Sequence, residues 1–386
     1  MRTQCLVCKS TSLVEKISFI SQPISNRFLI DENEDFPKTD IKLGICLKCG
    51  VIQLLDPTPY YVFRPIYDWL TYNEPEAHLD HAVSSTLNRL SLNKDSLILG
   101  VTYKDQSTLN RFSQASRART EMIEYTTLST PFGLETIQNE LVNNTENTFG
   151  LHEKADLVVA RHIIEHTPDV TSLLNTLLSF TKTDGYLLIE FPDNRKVFSL
   201  NNYPFLWEEH MCYLLKEDSY IIAENINCTI EEISEYEYTY ENSVVLLLKK
   251  SGANAIANND CKNKERLIDS FSSNFESSKK SWHNRINEIK KEGYRISVFG
   301  AGHLSFKFIN FFELEDLIDI IIDDNVDKIG TFTPGSNIPI TSSMNELDKA
   351  AKSFCISTLS PESKTKVLKS NRYMKQCINI VDAFNS

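Results

Sequence analysis

Two kinds of apolar run alternate along most of this chain. One kind is short and unbroken: "SLILG" ending at Gly100, "ADLVVA" ending at Ala160, "YLLIEF" ending at Phe191 and "VVLLL" ending at Leu248. Runs of this length without a polar face read as strands covered on both sides. The other kind recurs every three to four residues. Glu76 to Leu90 carries Leu79, Ala82, Val83, Leu87 and Leu90 on one stripe, and "DVTSLLNTLLSFT" repeats the pattern, so both are predicted helices. A further helix is expected to begin near Ser107, after the loop that follows Gly100. Strands alternating with helices predict a parallel sheet and an α/β fold.

A stretch poor in large apolar residues, "SGANAIANND", follows the strand at Leu248 and is the best linker in the chain. Beyond it, Lys264 to Lys291 places Ile268, Phe271, Phe275, Trp282, Ile286 and Ile289 along one stripe, a long amphipathic helix whose apolar face serves packing. "RISVFGAGHLSFKFINFF", "LIDIIIDDN", "SFCISTL" and "CINIVDAF" then start a second α/β unit, and no fixed short period repeats. Three domains are expected, over 1–62, 63–250 and 263–386, in keeping with 386 residues.

The first of these is organised by cysteine. "CLVC" supplies Cys5 and Cys8, and "CLKCG" supplies Cys46 and Cys49. Two such knuckles aim four sulfurs at one point, the pattern of a closed, structural zinc site. The N-terminus lacks the apolar core of a secretion signal, and no apolar run approaches the ~20 residues that span a bilayer, so a cytoplasmic location is expected. A formal charge of −12 argues against nucleic acid or an anionic membrane as partner.

Two loops carry candidate phosphate or cofactor chemistry. "VFGAGHLSF" sets Gly300, Gly302 and His303 between a strand and a helix, and Asp323 ends the next strand, where a carboxylate can bond a ribose hydroxyl. In the central unit the corresponding loop has only Gly100, followed by Thr102, Tyr103, Lys104 and Asp105. His162 and His166 stand four apart at a strand end, where that spacing does not share a face, so with Glu165 they are expected to shape a loop and not to bind metal. His78 and His81 are expected at a helix surface.

Taken together, the doubled CxxC, "ARHIIEHTPD", "IEFPDN", the "EEH" of residues 208–210 and "GAG…DDNVDKIGTFTPGSNIPI" resemble the sugar C-methyltransferases of nucleotide-linked deoxysugar pathways over nearly the whole chain. The resemblance implies a zinc-binding N-terminal module, a Rossmann-like middle domain that binds S-adenosylmethionine, and a C-terminal Rossmann-like domain that helps hold a nucleotide-linked sugar. It implies methyl transfer to carbon through an enolate, with His210 as base, Glu209 as its partner and Tyr72 as an orienting group. A histidine has the right pKa range for this work, and a neighbouring carboxylate orients it. The cofactor would meet Gly100, Thr102, Asp105, Arg161 and His162; the sugar nucleotide would meet Gly300, Gly302, His303 and Asp323. A monomer or homodimer is expected.

The chain departs from the family in three places. Lys104 brings a cation near the expected sulfonium, to be compensated by Asp105 or the methionine carboxylate. Trp207 stands where the family commonly has tyrosine, and the family's Lys-Gly is replaced around "GHLSF". Two rival readings follow: an idle methyltransferase-like binding or assembly protein, favoured by the glycine-poor loop, and a nicotinamide-dependent sugar-nucleotide enzyme using "GAGHLS" and Asp323.

Overall fold

The computed structural model describes residues 3–31, 33–69, 74–125, 128, 133–144, 149, 151, 153–250 and 260–384. Tyr72 and most of the expected linker lie outside these residues. The chain divides into two compact units: Met1–Glu15, Leu43–Arg195 and Glu209–Glu265 form the first, and Lys16–Lys42, Lys196–Glu208 and Arg266–Ser386 form the second.

Three sheets occur among the described residues. The first comprises β1 (Leu13–Pro23), β2 (Lys38–Cys46), β3 (Ile52–Leu54) and β8 (Cys212–Tyr213), in that order. The second sheet has the order β5-β4-β6-β7-β10-β9, built from β4 (Leu97–Gly100), β5 (Arg119–Met122), β6 (Ala155–Arg161), β7 (Thr181–Asp193), β9 (Thr229–Tyr236) and β10 (Asn242–Lys249). Its first four members pair in parallel, and β10 pairs antiparallel with both β7 and β9. The unbroken apolar runs of β4, β6 and β10 are accordingly buried along almost their whole length. β9 is the exception: as an edge strand of half-buried residues, its "TIEEISEY" carries no apolar run to reveal it.

Helices α1 (Leu79–Arg89) and α2 (Gln106–Ser116) pack over this sheet through Ala82, Val83, Leu109 and Phe112, joined by Ile98, Leu157, Val159 and Leu247. Gly100 is the point of closest approach. A Cβ there would stand 2.7 Å from Leu109 Cδ1 and 3.1 Å from Met122 Cε, so only glycine lets α2 lie this near β4. Helix α3 (Leu134–Asn143) and helix α4 (Val170–Ser179) complete this part, with Asp169 capping α4 by accepting from Ser172 N at 3.0 Å.

In the second unit the long helix Cys261–Lys291, whose first residues belong to the other unit, buries Ile268, Phe271, Trp282 and Ile286 as its stripe predicts. The sheet there is parallel throughout, with β11 (Arg295–Phe299), β12 (Ile320–Ile322), β13 (Ile340–Thr341), β14 (Ser353–Ser357) and β15 (Asn379–Asp382) in the order β13-β12-β11-β14-β15. No described helix is long and apolar enough to cross a membrane.

Candidate active site

The carboxyl ends of parallel strands are where α/β sheets place their ligands, because the loops there are free to vary while the strands hold them still. In the first unit the ends of β4, β6 and β7 gather an unusual density of buried charge. Glu190, in β7, is the hub. Its Oε1 lies 3.0 Å from His78 Nε2 and 3.1 Å from His162 Nε2 and accepts from Ser243 Oγ at 2.8 Å, while Oε2 accepts from Arg161 Nε. His78 is therefore not a surface residue, as helical position alone predicts, but a buried partner of Glu190, with Tyr238 Oη 2.8 Å from its Nδ1.

His162 sits directly after β6 in the left-handed region, at φ +48°, which turns its ring back to reach Glu190 and Glu165. Burial opposes a charge on this ring. The Glu74 and Glu190 carboxylates and hydrogen bonds to Glu165 and Glu190 outweigh that penalty and raise its pKa to about 10. Burial also works against ionised Glu190, yet His162 and Arg161 hold it well below the usual carboxylate range.

The loop after β4 answers the question posed by Lys104. Its ammonium pairs with Glu74, which lies outside the loop and which sequence reasoning passed over. The expected partner, Asp105, does other work: fully buried, it accepts from the main-chain amides of Val101 at 2.8 Å, Thr102 at 2.7 Å and Arg161 at 2.8 Å. It ties the loop after β4 to the end of β6, and burial raises its pKa to about 7. Arg161 Nη1 donates to Lys104 O at 2.7 Å, closing the same bridge, and its buried Nη2 has no hydrogen-bond partner among the described residues. Gly100, Thr102, Asp105, Arg161 and His162 thus meet in one cluster.

Near that cluster stand Glu209 and His210 of the "EEH" stretch. The two glutamates part company. Glu208, in the second unit, accepts from Ser25 N at 2.5 Å and pairs with Lys307 at 2.7 Å, both carboxylate and ammonium buried. Glu209 and His210 belong to the first unit, where Met211 N donates to Glu165 O at 2.6 Å and so fixes His210 beside the turn Ile164–His166. The His166 and His210 rings meet edge to face at 4.9 Å. His166 in turn holds Glu135 Oε1 at 2.7 Å from its Nδ1. Single ligating atoms of Glu135, His166 and Glu209 lie within 4.8 Å of one another, as do those of Glu165, His166 and His210. Imidazole and carboxylate at such separations can move a proton or hold a cation.

The two cysteine knuckles close as their spacing predicts. Cys5 and Cys49 sulfurs lie 3.6 Å apart, as do those of Cys8 and Cys46. That is far beyond a disulfide and near the separation, roughly 3.8 Å, that tetrahedral bonds of about 2.3 Å impose. Each knuckle is followed by a residue in the left-handed region, Lys9 at φ +58° and Gly50 at φ +75°, whose amide returns to the first cysteine's carbonyl. Hydrogen bonds shared among the sulfurs pull the Cys46 thiol down and push the Cys49 thiol up, so the four groups titrate as one set.

A family profile described as "Methyltransferase domain" matches residues 76–233, and one described as "C-methyltransferase C-terminal domain" matches residues 254–379. The chain belongs to the S-adenosylmethionine-dependent C-methyltransferase family. No curated protein matches it. Among solved structures, it is similar to the 1,6-didemethyltoxoflavin-N1-methyltransferase of Burkholderia thailandensis, with 10% identity over 46% of this chain and 79% of that one and a TM-score of 0.33. It is likewise similar to the magnesium protoporphyrin IX methyltransferase of Synechocystis PCC 6803 (14%, 47% and 87%, 0.30) and to an N-methyltransferase of Bradyrhizobium japonicum WM9 (12%, 45% and 97%, 0.31). Likenesses this loose carry no weight for substrate or residue roles.

In the second unit of this methyltransferase, the "GAGH" turn is braced from within. Asp323 Oδ2 accepts from Ala301 N at 2.8 Å and from Lys328 Nζ at 3.0 Å, and its Oδ1 accepts from Asn325 N, so the carboxylate expected on a ribose ties the "GAGH" turn to its own loop. Gly302 N donates to Ser305 Oγ, and Gly300 takes φ +102°. His303 stacks on Trp207 at 4.4 Å, which gives the indole that replaces the family's tyrosine a flat partner instead of a proton.

Proposed function

We propose that this enzyme methylates carbon beside the ketone of a nucleotide-linked keto-deoxysugar, with His210 as the base that generates the enolate. The observation that carries the reading is the grouping of His210, His166, Glu135 and Glu209 at the carboxyl end of β6, where ligating atoms of two overlapping triads each lie within 4.8 Å. When bound, S-adenosylmethionine supplies an electrophilic methyl.

The residues fit that cofactor in one respect visible in the fold. Arg161 Nη2, buried without a partner, would bond the methionine carboxylate, and the paired Glu74 leaves Lys104 no net repulsion for a sulfonium. His210 takes the proton from carbon, and Glu209 stabilises the resulting imidazolium. The edge of the His166 ring, fixed by Glu135, limits how far the His210 ring can turn. Tyr72 orients the substrate oxygen in this scheme. In the second unit Gly302, where an added Cβ would meet nothing within 4 Å, and His303 would contact the nucleotide.

The four cysteines fit zinc by sulfur separation, ligand type and left-handed turn, and we assign them a closed structural site. Methyl transfer from labelled S-adenosylmethionine to a panel of nucleotide-linked keto sugars tests the reading. Label on carbon of one member supports it; label on oxygen or nitrogen alone, or on no member despite cofactor binding, removes it.

A further inference from the structure

The turn after β6 and the loop after Glu209 bring together two imidazoles and a carboxylate; the reaction proposed above uses His210 as a base and gives Glu165 no role. From Glu165, His166 and His210 we infer a second cation site, distinct from the four cysteines, that takes one divalent transition ion. Single ligating atoms of the three lie within 4.8 Å of one another, close enough to converge on an ion with bonds of about 2.0–2.2 Å after small side-chain rotations.

Three further observations point to a ligand there. Glu165 is almost fully buried, yet its Oε2 has no hydrogen-bond partner among the described residues and so keeps its lone pairs for an incoming cation. His166 Nδ1 lies 2.7 Å from Glu135 Oε1. A carboxylate behind an imidazole in this way fixes the tautomer and directs Nε2 toward an ion, the usual support of a metal-bound histidine. Finally, the main-chain bond from Met211 N to Glu165 O at 2.6 Å sets the His210 loop against the Glu165 turn without help from an ion, so the donors are organised beforehand.

Two imidazoles and one carboxylate suit zinc, cobalt(II), nickel(II) or iron(II), and not magnesium or calcium, which take oxygen. Glu209, buried beside His166 and Glu135, adds a further negative charge to the surroundings. An ion bonded to the His210 nitrogen occupies the lone pair that would accept the substrate proton. Ion binding and proton abstraction therefore exclude each other, a consequence that rests on the function proposed above, whereas the site itself does not.

Cobalt(II) is the probe. The full chain carrying a single zinc per chain, the content of the four-cysteine site alone, is titrated with it and followed by calorimetry and by visible absorption, which separates imidazole–carboxylate coordination from cobalt thiolate. The expected result is one additional ion per chain, with affinity lowered at least ~10-fold in Glu165→Gln and His166→Gln, and about 10- to 100-fold in Glu135→Gln, which keeps the size of the supporting side chain. Absence of additional cobalt at millimolar concentration in the wild-type chain overturns the inference, as does binding that all three variants leave unchanged. Turnover then separates the two claims: cobalt held at this site with turnover lost supports both, whereas cobalt held there with turnover intact keeps the site and removes His210 as base.

Discussion

Replacing Glu190 by glutamine removes one negative charge from a buried cluster. The carboxylate serves His78, His162, Ser243 and Arg161 at once, and Arg161 is about 1% exposed. Breaking a buried pair from one side leaves the other charge uncompensated, at a cost of about 3–5 kcal/mol. Against a total stability of about 5–15 kcal/mol for a domain, such a loss takes from roughly a fifth of the margin to all of it.

The variant also changes how stability depends on pH. His162 stands at about 10 in the folded state against an ordinary value near 6.5, so it binds its proton more tightly when folded. Its contribution is fully present below pH ~6.5 and is lost as pH rises through about 10, and a shift of this size corresponds to on the order of 5 kcal/mol. Glu74 and Glu190 are the principal charges that sustain it, so Glu190→Gln lowers stability at pH 7 and flattens its decline toward pH 9.5. Guanidinium unfolding at both values, followed by far-ultraviolet circular dichroism, reads the effect. A variant within about 1 kcal/mol of wild type at pH 7, with an equal fall to pH 9.5, would refute the hub.

Further predictions follow from other parts of the structure. Cys8→Ser lowers the zinc content measured by atomic emission by about one per chain relative to wild type and lowers the unfolding midpoint, because metal binding is folding energy at such a site. Gly100→Ala destabilises by about 1–3 kcal/mol through the clash with Leu109, whereas Gly302→Ala, with open space around the new methyl, leaves stability unchanged within about 0.5 kcal/mol. Glu74→Gln leaves Lys104 uncompensated and weakens S-adenosylmethionine binding roughly 10-fold by calorimetry, or about 1.4 kcal/mol; unchanged affinity would place the cofactor away from this pair.

How much of this is legible in the sequence depends on whether the determining interaction is local. Strands β4, β6, β7 and β10 announce themselves because burial on both faces demands apolar residues at nearly every position. The cysteine knuckles are equally plain, since metal geometry fixes their spacing. Residues 16–42 join the second unit although they lie between the two knuckles in sequence, because Phe19 of β1 packs on Phe275 and Phe311, more than two hundred residues on. Ion pairs have no period at all. Lys104 finds Glu74 thirty residues away, and His78 finds Glu190 more than a hundred residues on, so neither partner is visible from its neighbours. One signal was available and passed over: Glu190 interrupts the apolar run "YLLIEF", and a carboxylate inside a buried strand needs a partner. Glu165 and His166 were readable as a loop but not as neighbours of His210, because only the antiparallel pairing of β3 with β8 brings residue 212 near that turn.

Proton exchange at the substrate carbon tests the central claim most directly, because it isolates the base from methyl transfer. A nucleotide-linked keto sugar identified in the labelling panel is incubated in deuterium oxide with the enzyme and S-adenosylhomocysteine, and deuterium beside the ketone is read by mass spectrometry. Incorporation by wild type, lost in His210→Gln while calorimetric affinity for S-adenosylhomocysteine is retained, is the predicted result. Incorporation at an undiminished rate in His210→Gln would contradict it.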